Sequence, residues 1–164
     1  MEVNTVLLSL GSNMGDSKQN LLDVISQLKD SEQVEQLEQS HFYQTPAWGY
    51  ESDQPYVNCC VRITTFLSPI EVLDFTQELE IANGRVIKNN YADRTIDIDI
   101  LFYNDSIYQD ERLTIPHPFW NIRSFVLYPL LDLQKNVKIK ETIIEIEEEI
   151  SKLKMEEKGQ IERI

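Results

Sequence analysis

Positive charge is scarce in this chain. Fifteen lysines and arginines stand against 28 aspartates and glutamates, for a formal net charge of −13. Phosphate backbones and anionic membranes bind basic surfaces, so general nucleic-acid or lipid-surface binding is excluded as an expectation. Long apolar runs are missing too. No stretch approaches the roughly 20 residues of a membrane span, and the N-terminus lacks a basic-then-apolar leader pattern. A cytoplasmic location is the expected one. The two cysteines, Cys59 and Cys60, are adjacent in a strand-like run and point to opposite faces, so the sequence reads as packed, reduced thiols rather than a disulfide. The sequence also lacks G-x-x-x-x-G-K-[ST]. G-S-N-M-G at 11–15 has no lysine–hydroxyl pair, which excludes a P-loop nucleotide enzyme.

The cations that do occur are concentrated. From Asp30 to Gly84 the only lysine or arginine is Arg62; Arg85, Lys88, Arg94, Arg112 and Arg123 then follow, with His117 among them. In an acidic protein such a concentration suits one compact anion better than a polymer.

At 164 residues the chain is expected to be one domain, 1–164, with a core of about 1–133 and an acidic helical tail of about 140–164. VNTVLLSLGS reads as a strand. Asp16 or Ser17 caps a helix whose apolar positions are Leu21, Val24, Ile25 and Leu28. A second strand runs from Leu37 to Gln44. YVNCCVRITTF (56–66) is a third, with Val57, Cys59, Val61 and Ile63 on one face. Ser68-Pro69 opens a second helix that Gly84 closes. A polar, basic loop covers 85–94, and 95–103 is the fourth strand. The order β-α-β-β-α-β is the ferredoxin-like, α+β plan: an antiparallel sheet with both helices on one face and the other face free. The stretch 113–133 reads as loop, then short helix. Ile143, Ile146, Ile150 and Leu153 make the tail an amphipathic helix.

DRTIDIDI (93–100) holds the most specific chemistry. Asp97 and Asp99 alternate with Ile96, Ile98 and Ile100, so a period of two puts both carboxylates on one face, about 7 Å apart. Such a pair can share Mg²⁺ ions, which take one or two carboxylates plus phosphate oxygens and water. Two ions in such a site stand about 4 Å apart. A solvated strand edge, or aspartates paired to arginines, gives the same spelling. Asn58 is the odd member of V-N-C-C-V, and an amide carries the donor–acceptor pair that suits the edge of a heterocycle. The aromatic residues of 42–58 fit a core more readily than a ligand pocket. His117, between prolines, fits a turn cap; Arg85 fits a helix C-terminus; Arg123 fits a pairing with tail glutamates. An RNA-recognition domain shares the element order but needs a basic sheet and an R/K-G-F-x-F-like strand, and both are missing. A regulatory or assembly module would predict no ATP turnover.

The runs L-G-S-N-M-G-D (10–16), F-Y-Q-T-P (42–46), D-Q-P-Y-V-N (53–58), E-I-A-N-G-R (80–85), R-T-I-D-I-D-I-L (94–101) and I-P-H-P…R-S-F-V-L-Y-P-L (115–130) occur in one order. Together they resemble the 6-hydroxymethyl-7,8-dihydropterin pyrophosphokinase family of folate biosynthesis. The resemblance implies transfer of pyrophosphate from ATP to the pterin alcohol, with two Mg²⁺ ions and ATP as co-substrate, in a monomer. It implies metal binding by Asp97 and Asp99, and a catalytic set of Arg85, Arg94, Asp97 and Asp99. Thr45, Pro46, Tyr56, Asn58 and Phe125 match the pterin pocket. Glu80, Arg85, Arg94, His117 and Arg123 match residues that hold or approach ATP, and Ile100, Arg112 and Thr114 match its adenosine end. The loops 47–54 and 85–93 match segments that close over substrates. Ile87, Tyr91 and Pro118 depart from the family pattern and bear on loop closure.

Overall fold

The computed structural model describes residues 2–46, 54–84, 95–158 and 160–164. Strand β1 (Asn4–Ser12) is followed by helix α1 (Ser17–Asp30), strands β2 (Gln36–Gln39), β3 (Tyr43–Thr45) and β4 (Tyr56–Thr65), helix α2 (Pro69–Ala82) and strand β5 (Asp97–Tyr103). The short strands β6 (Tyr108–Gln109) and β7 (Thr114–Ile115), a 3₁₀ turn (Trp120–Ile122) and helix α3 (Ser124–Leu133) come next. The C-terminal part comprises β8 (Asn136–Ile139), β9 (Thr142–Glu145), α4 (Ile146–Ser151), α5 (Met155–Lys158) and β10 (Glu162–Arg163).

The main sheet runs β10-β3-β4-β1-β5, with β2 also pairing β4 and every pairing antiparallel. The expected second strand is split in two. At the break, Ser40 turns its Oγ to accept the amide of Cys60 at 2.9 Å, so the ladder is bridged by a side chain. Helix starts follow local chemistry. Asp16 accepts from the Gln19 amide at the start of α1. Ser68 and Glu71 form a reciprocal capping box at the start of α2, with Pro69 in the first turn. Gly84, just past α2, has φ 93°, a conformation glycine adopts without penalty.

Alternation along the strands builds two cores. Val6, Leu8, Leu10, Val57, Cys59, Val61, Ile63, Ile98 and Ile100 pack beneath α1 and α2, as the sequence pattern requires. The opposite face differs from expectation: it is not free. Leu7, Cys60, Leu101 and Phe102 are buried there under Val126, Leu127 and Leu130 of α3. A bulge in β5 feeds this second core. Leu7 pairs Phe102 and Leu8 pairs Ile100, so Leu101 is an extra residue and turns to the same side as Phe102. An apolar patch of that size needs a cover, and α3 is apolar enough around its circumference to supply it.

The tail also corrects the sequence reading. Instead of one amphipathic helix it forms the β8–β9 hairpin, two short helices and the edge strand β10. Lys140 takes a positive φ of 54° at the hairpin turn, and Thr142–Glu145 is β-branched at three of four positions, which favours extended backbone. Ile146, Ile150 and Leu153 nonetheless pack on the second core.

Candidate functional site

Strand register sets the floor of the site. Gly11 of β1 pairs with Asn58 of β4 on one side and Asp97 of β5 on the other, and Ser9 pairs with Cys60 and Asp99. Asn58, Gly11 and Asp97 therefore form one row across three strands. Adjacent strands lie about 4.8 Å apart, so the amide and the carboxylate stand roughly 10 Å from each other with only a glycine between them. The row is on the face opposite α1 and α2. Asp97 and Asp99 are half-buried, while Ile98 and Ile100 point into the helix-side core. The alternation predicted for DIDI is thus realised in three dimensions.

At the Asp97 and Asp99 end a cleft of about 360 Å³ opens between β5, α2 and the 117–123 segment. The His117 Nε2 and Arg123 Nη1 atoms both lie 3.9 Å from Asp99 Oδ2. His117 Nδ1 accepts the Phe119 amide at 3.1 Å, so the neutral ring carries its proton on Nε2, the atom nearest Asp99. Burial, reinforced by the Arg123 charge, holds His117 below the ordinary histidine value despite the opposing pull of Asp97. The ring is both a turn cap and a neutral N–H donor to the cleft. Among the described residues Arg123 pairs with Asp99 and with no tail glutamate. Its guanidinium lies over the rings of both Phe119 and Phe125.

Glu80 lines the same cleft but is 4% exposed, and its Oε2 accepts the Ile98 amide at 2.9 Å. Its carboxylate ties α2 to the outer edge of β5. Ile100 is buried in the helix-side core, so its side chain belongs to packing. Arg112 pairs with Asp74 of α2 at 2.6 Å and reaches Gln77, which lines the cleft; that pairing raises its pKa further. Thr114 lies exposed on β7. Arg85 and Arg94 lie outside the described residues, as do loop 85–93 and all of loop 47–54 except Gln54.

Asn58 stands at the other end of the row. It is 5% exposed; its Nδ2 donates to Leu10 O at 3.4 Å, and its Oδ1 has no hydrogen-bond partner among the described residues. A buried carbonyl oxygen left without a donor is costly, and a ligand N–H would relieve it. Gly11 is required beneath it: a Cβ there would come within 2.6 Å of Asn58 Nδ2. Thr45 is buried beside it on β3, Tyr56 faces Thr45 across the β3–β4 ladder and is half-buried, and Pro46 is exposed. Phe42 and Tyr43, by contrast, are core residues. Sequence reasoning did not single out Gly11, Gln77 or Phe119. The register and the packing, rather than any motif, bring them in.

Fold and site define an α+β domain with an antiparallel sheet, on which one row of residues across three strands joins a carboxylate cleft to a buried amide. A sequence profile for "7,8-dihydro-6-hydroxymethylpterin-pyrophosphokinase" matches residues 7–135. The 2-amino-4-hydroxy-6-hydroxymethyldihydropteridine pyrophosphokinase of Aquifex aeolicus is 38% identical over 133 residues, 81% of this chain and 82% of its own. The protein of the same name from Bacillus subtilis is 35% identical over 146 residues, 89% and 87% of the two chains. A Plasmodium falciparum HPPK-DHPS crystallised with pterin and p-hydroxybenzoate superposes with a TM-score of 0.74 at 18% identity, a likeness of fold. The alignment covers 99% of this chain and 48% of that one, so the chain spans about half the length of that solved chain. The chain belongs to the 7,8-dihydro-6-hydroxymethylpterin-pyrophosphokinase family.

Proposed function

We propose that this protein transfers the β,γ-pyrophosphoryl group of ATP to the hydroxymethyl oxygen of 6-hydroxymethyl-7,8-dihydropterin, releasing AMP, as a step of folate biosynthesis. Family membership supports the reaction. The row Asn58–Gly11–Asp97 is the observation that carries its placement on this chain. The amide reads the heterocycle's edge, with Asn58 Oδ1 accepting a ring or amino N–H. The bare backbone of Gly11 lets a flat ring lie close to the sheet. The pterin's hydroxymethyl arm then points along the row toward the carboxylates. Thr45 and Pro46 border the ring, and Tyr56 and Phe125 supply aromatic faces.

Asp97 and Asp99 suit Mg²⁺. Among the described residues no group of three or more His, Cys, Asp or Glu side chains could cage a metal. Two adjacent carboxylates opening on a cleft are the donor set of a hard cation that takes its remaining ligands from phosphate and water. Two such ions, when bound, would neutralise the triphosphate and make the hydroxyl more acidic. The chain's own groups do the rest. Arg123, with Arg85 and Arg94, supplies charge-assisted hydrogen bonds to phosphate oxygens. His117 adds a neutral donor through Nε2–H. Glu80 keeps β5 in register with α2, so that Asp97 and Asp99 hold their spacing. Ile100, Arg112 and Thr114 border the adenosine end, where the peptide groups of β5 offer hydrogen bonds. Holding the hydroxymethyl oxygen in line with the β-phosphorus is worth much of the barrier, and no protein nucleophile is needed. The domain formed by residues 1–164 acts as a monomer, in the cytoplasm.

The test is AMP release from ATP, followed with and without the pterin alcohol and with and without Mg²⁺. AMP that requires both supports the reading. AMP formed equally without the pterin, or none under any condition, refutes it.

A further inference from the structure

Phe119 has no part in the assignments above, yet it is a large apolar residue left 48% exposed at the lip of the cleft. Its ring centroid lies 5.3 Å from Arg123 Cζ, and that of Phe125 lies 5.4 Å away. The guanidinium therefore has two aromatic partners. The ring of Phe119 also stands edge-on to His117, with centroids 6.0 Å apart and planes at 62°.

Arg123 needs such a holder. Its side chain is long and one third exposed, and its anionic partner among the described residues is Asp99 Oδ2 at 3.9 Å, beyond hydrogen-bond range. Collapse onto Asp99 would spend one cation and one carboxylate of the phosphate site on each other. Aromatic faces attract a guanidinium without offering it a competing anionic oxygen. Two such faces fix its position and leave its N–H edges free to turn to a ligand.

We propose that Phe119, with Phe125, is a positioning residue that keeps the Arg123 guanidinium above the cleft, apart from Asp99 and ready for the phosphate chain of the nucleotide. The proposal rests on the polyphosphate reading of the site. It assigns Phe119 to phosphate recognition through Arg123, and to neither the adenine nor the pterin.

The experiment measures binding of a non-hydrolysable ATP analogue with Mg²⁺, of inorganic tripolyphosphate with Mg²⁺, and of the pterin alcohol. Phe119→Leu keeps the bulk and removes the aromatic face. It should weaken the analogue and tripolyphosphate alike, by about three- to tenfold, with pterin affinity unchanged. Phe119→Tyr should restore both to within about twofold, and Phe119→Leu should add nothing in an Arg123→Ala background. A loss confined to the nucleotide with tripolyphosphate unaffected would show base stacking and overturn the proposal. So would a full Phe119→Leu effect without Arg123, or a tyrosine variant as weak as the leucine one. Wild-type protein that binds neither phosphate compound would overturn the function reading and this proposal together, whereas wild-type binding with an indifferent Phe119→Leu overturns this proposal alone.

Discussion

Replacing Gly11 by alanine tests the site at its least conspicuous residue. The backbone at Gly11 is ordinary strand, so alanine meets no conformational penalty, and the whole effect comes from space. The new Cβ would lie 2.6 Å from Asn58 Nδ2 and 3.6 Å from its Cγ, with its next neighbour, Val57 O, at 4.0 Å. Ordinary contact begins near 3.4 Å, so the Asn58 amide must retreat by about 1 Å, a displacement large enough to spoil catalytic positioning. Two hydrogen bonds from Asn58 to the heterocycle, one accepted by Oδ1 and one donated by the Nδ2 hydrogen that does not go to Leu10 O, would be lost or distorted at about 1 kcal/mol each. Together they amount to about 2 kcal/mol, or roughly a 30-fold rise in the pterin dissociation constant. Over-packing a filled site costs about 1–3 kcal/mol of stability, which for a domain of this size lowers Tm by about 3–9 °C. Asp97 lies on the far side of Gly11, beyond the reach of the added methyl, so the ATP analogue should bind within about twofold of wild type. Titration calorimetry of the two ligands, with a thermal melt, reads all three quantities. Unchanged pterin affinity, or equal losses of pterin and nucleotide, would refute the reasoning.

Other perturbations probe separate parts of the molecule. Asp99→Asn removes a half-buried charge without changing shape; the fold should persist while Mg²⁺-dependent AMP formation falls by about 100-fold or more. Near-normal turnover in that variant would count against the metal role. Tyr43 donates its hydroxyl to Asp132 at 2.9 and 3.1 Å, and burial, then that bond, push its pKa from the ordinary 10.0 up to about 12. The folded state therefore favours the protonated phenol, so its stabilisation is complete below pH 10 and disappears as pH rises from 10 through about 12. Tyr43→Phe should cost about 1 kcal/mol at neutral pH and flatten the fall in urea midpoint across that window; an unaltered slope would contradict the assignment. Removing residues 160–164 strips β10 from β3 and breaks the Ile164 N–H to Phe42 O bond of 2.9 Å. We expect a loss of about 1–2 kcal/mol together with weaker pterin binding, because β3 carries Thr45. Pterin affinity equal to that of the full chain would show that the wall does not need its edge partner.

Much of the fold was legible because local rules and tertiary packing agree. Ser68-Pro69 with Glu71 spells a helix start that the capping box realises. The alternation of Val57, Cys59, Val61 and Ile63 was legible because one face of β4 had to be buried. The tail was misread for a reason of the same kind. Ile143, Ile146, Ile150 and Leu153 suit a helix by spacing, but a hairpin ending at Glu145 pairs backbone with Lys138 and Ile139, a gain that spacing cannot register. The free face was misjudged because α3 lies more than twenty residues beyond β5, and nothing local says which surface a distant apolar helix will cover.

The site divides the same way. Asp97 and Asp99 on one face, the oddity of Asn58 and the clustering of cations are properties of the string of residues, since strand alternation and charge need no partner to be defined. That Asp97 and Asn58 share a row, that Gly11 must be bare between them, that Glu80 is spent on a backbone amide and that two rings meet Arg123 were decided by tertiary structure alone. Register, bulges and helix docking join residues 11, 58 and 97, or 119, 123 and 125, at distances set by strand spacing and side-chain packing. Those distances, and not the order of residues along the chain, are what a ligand meets.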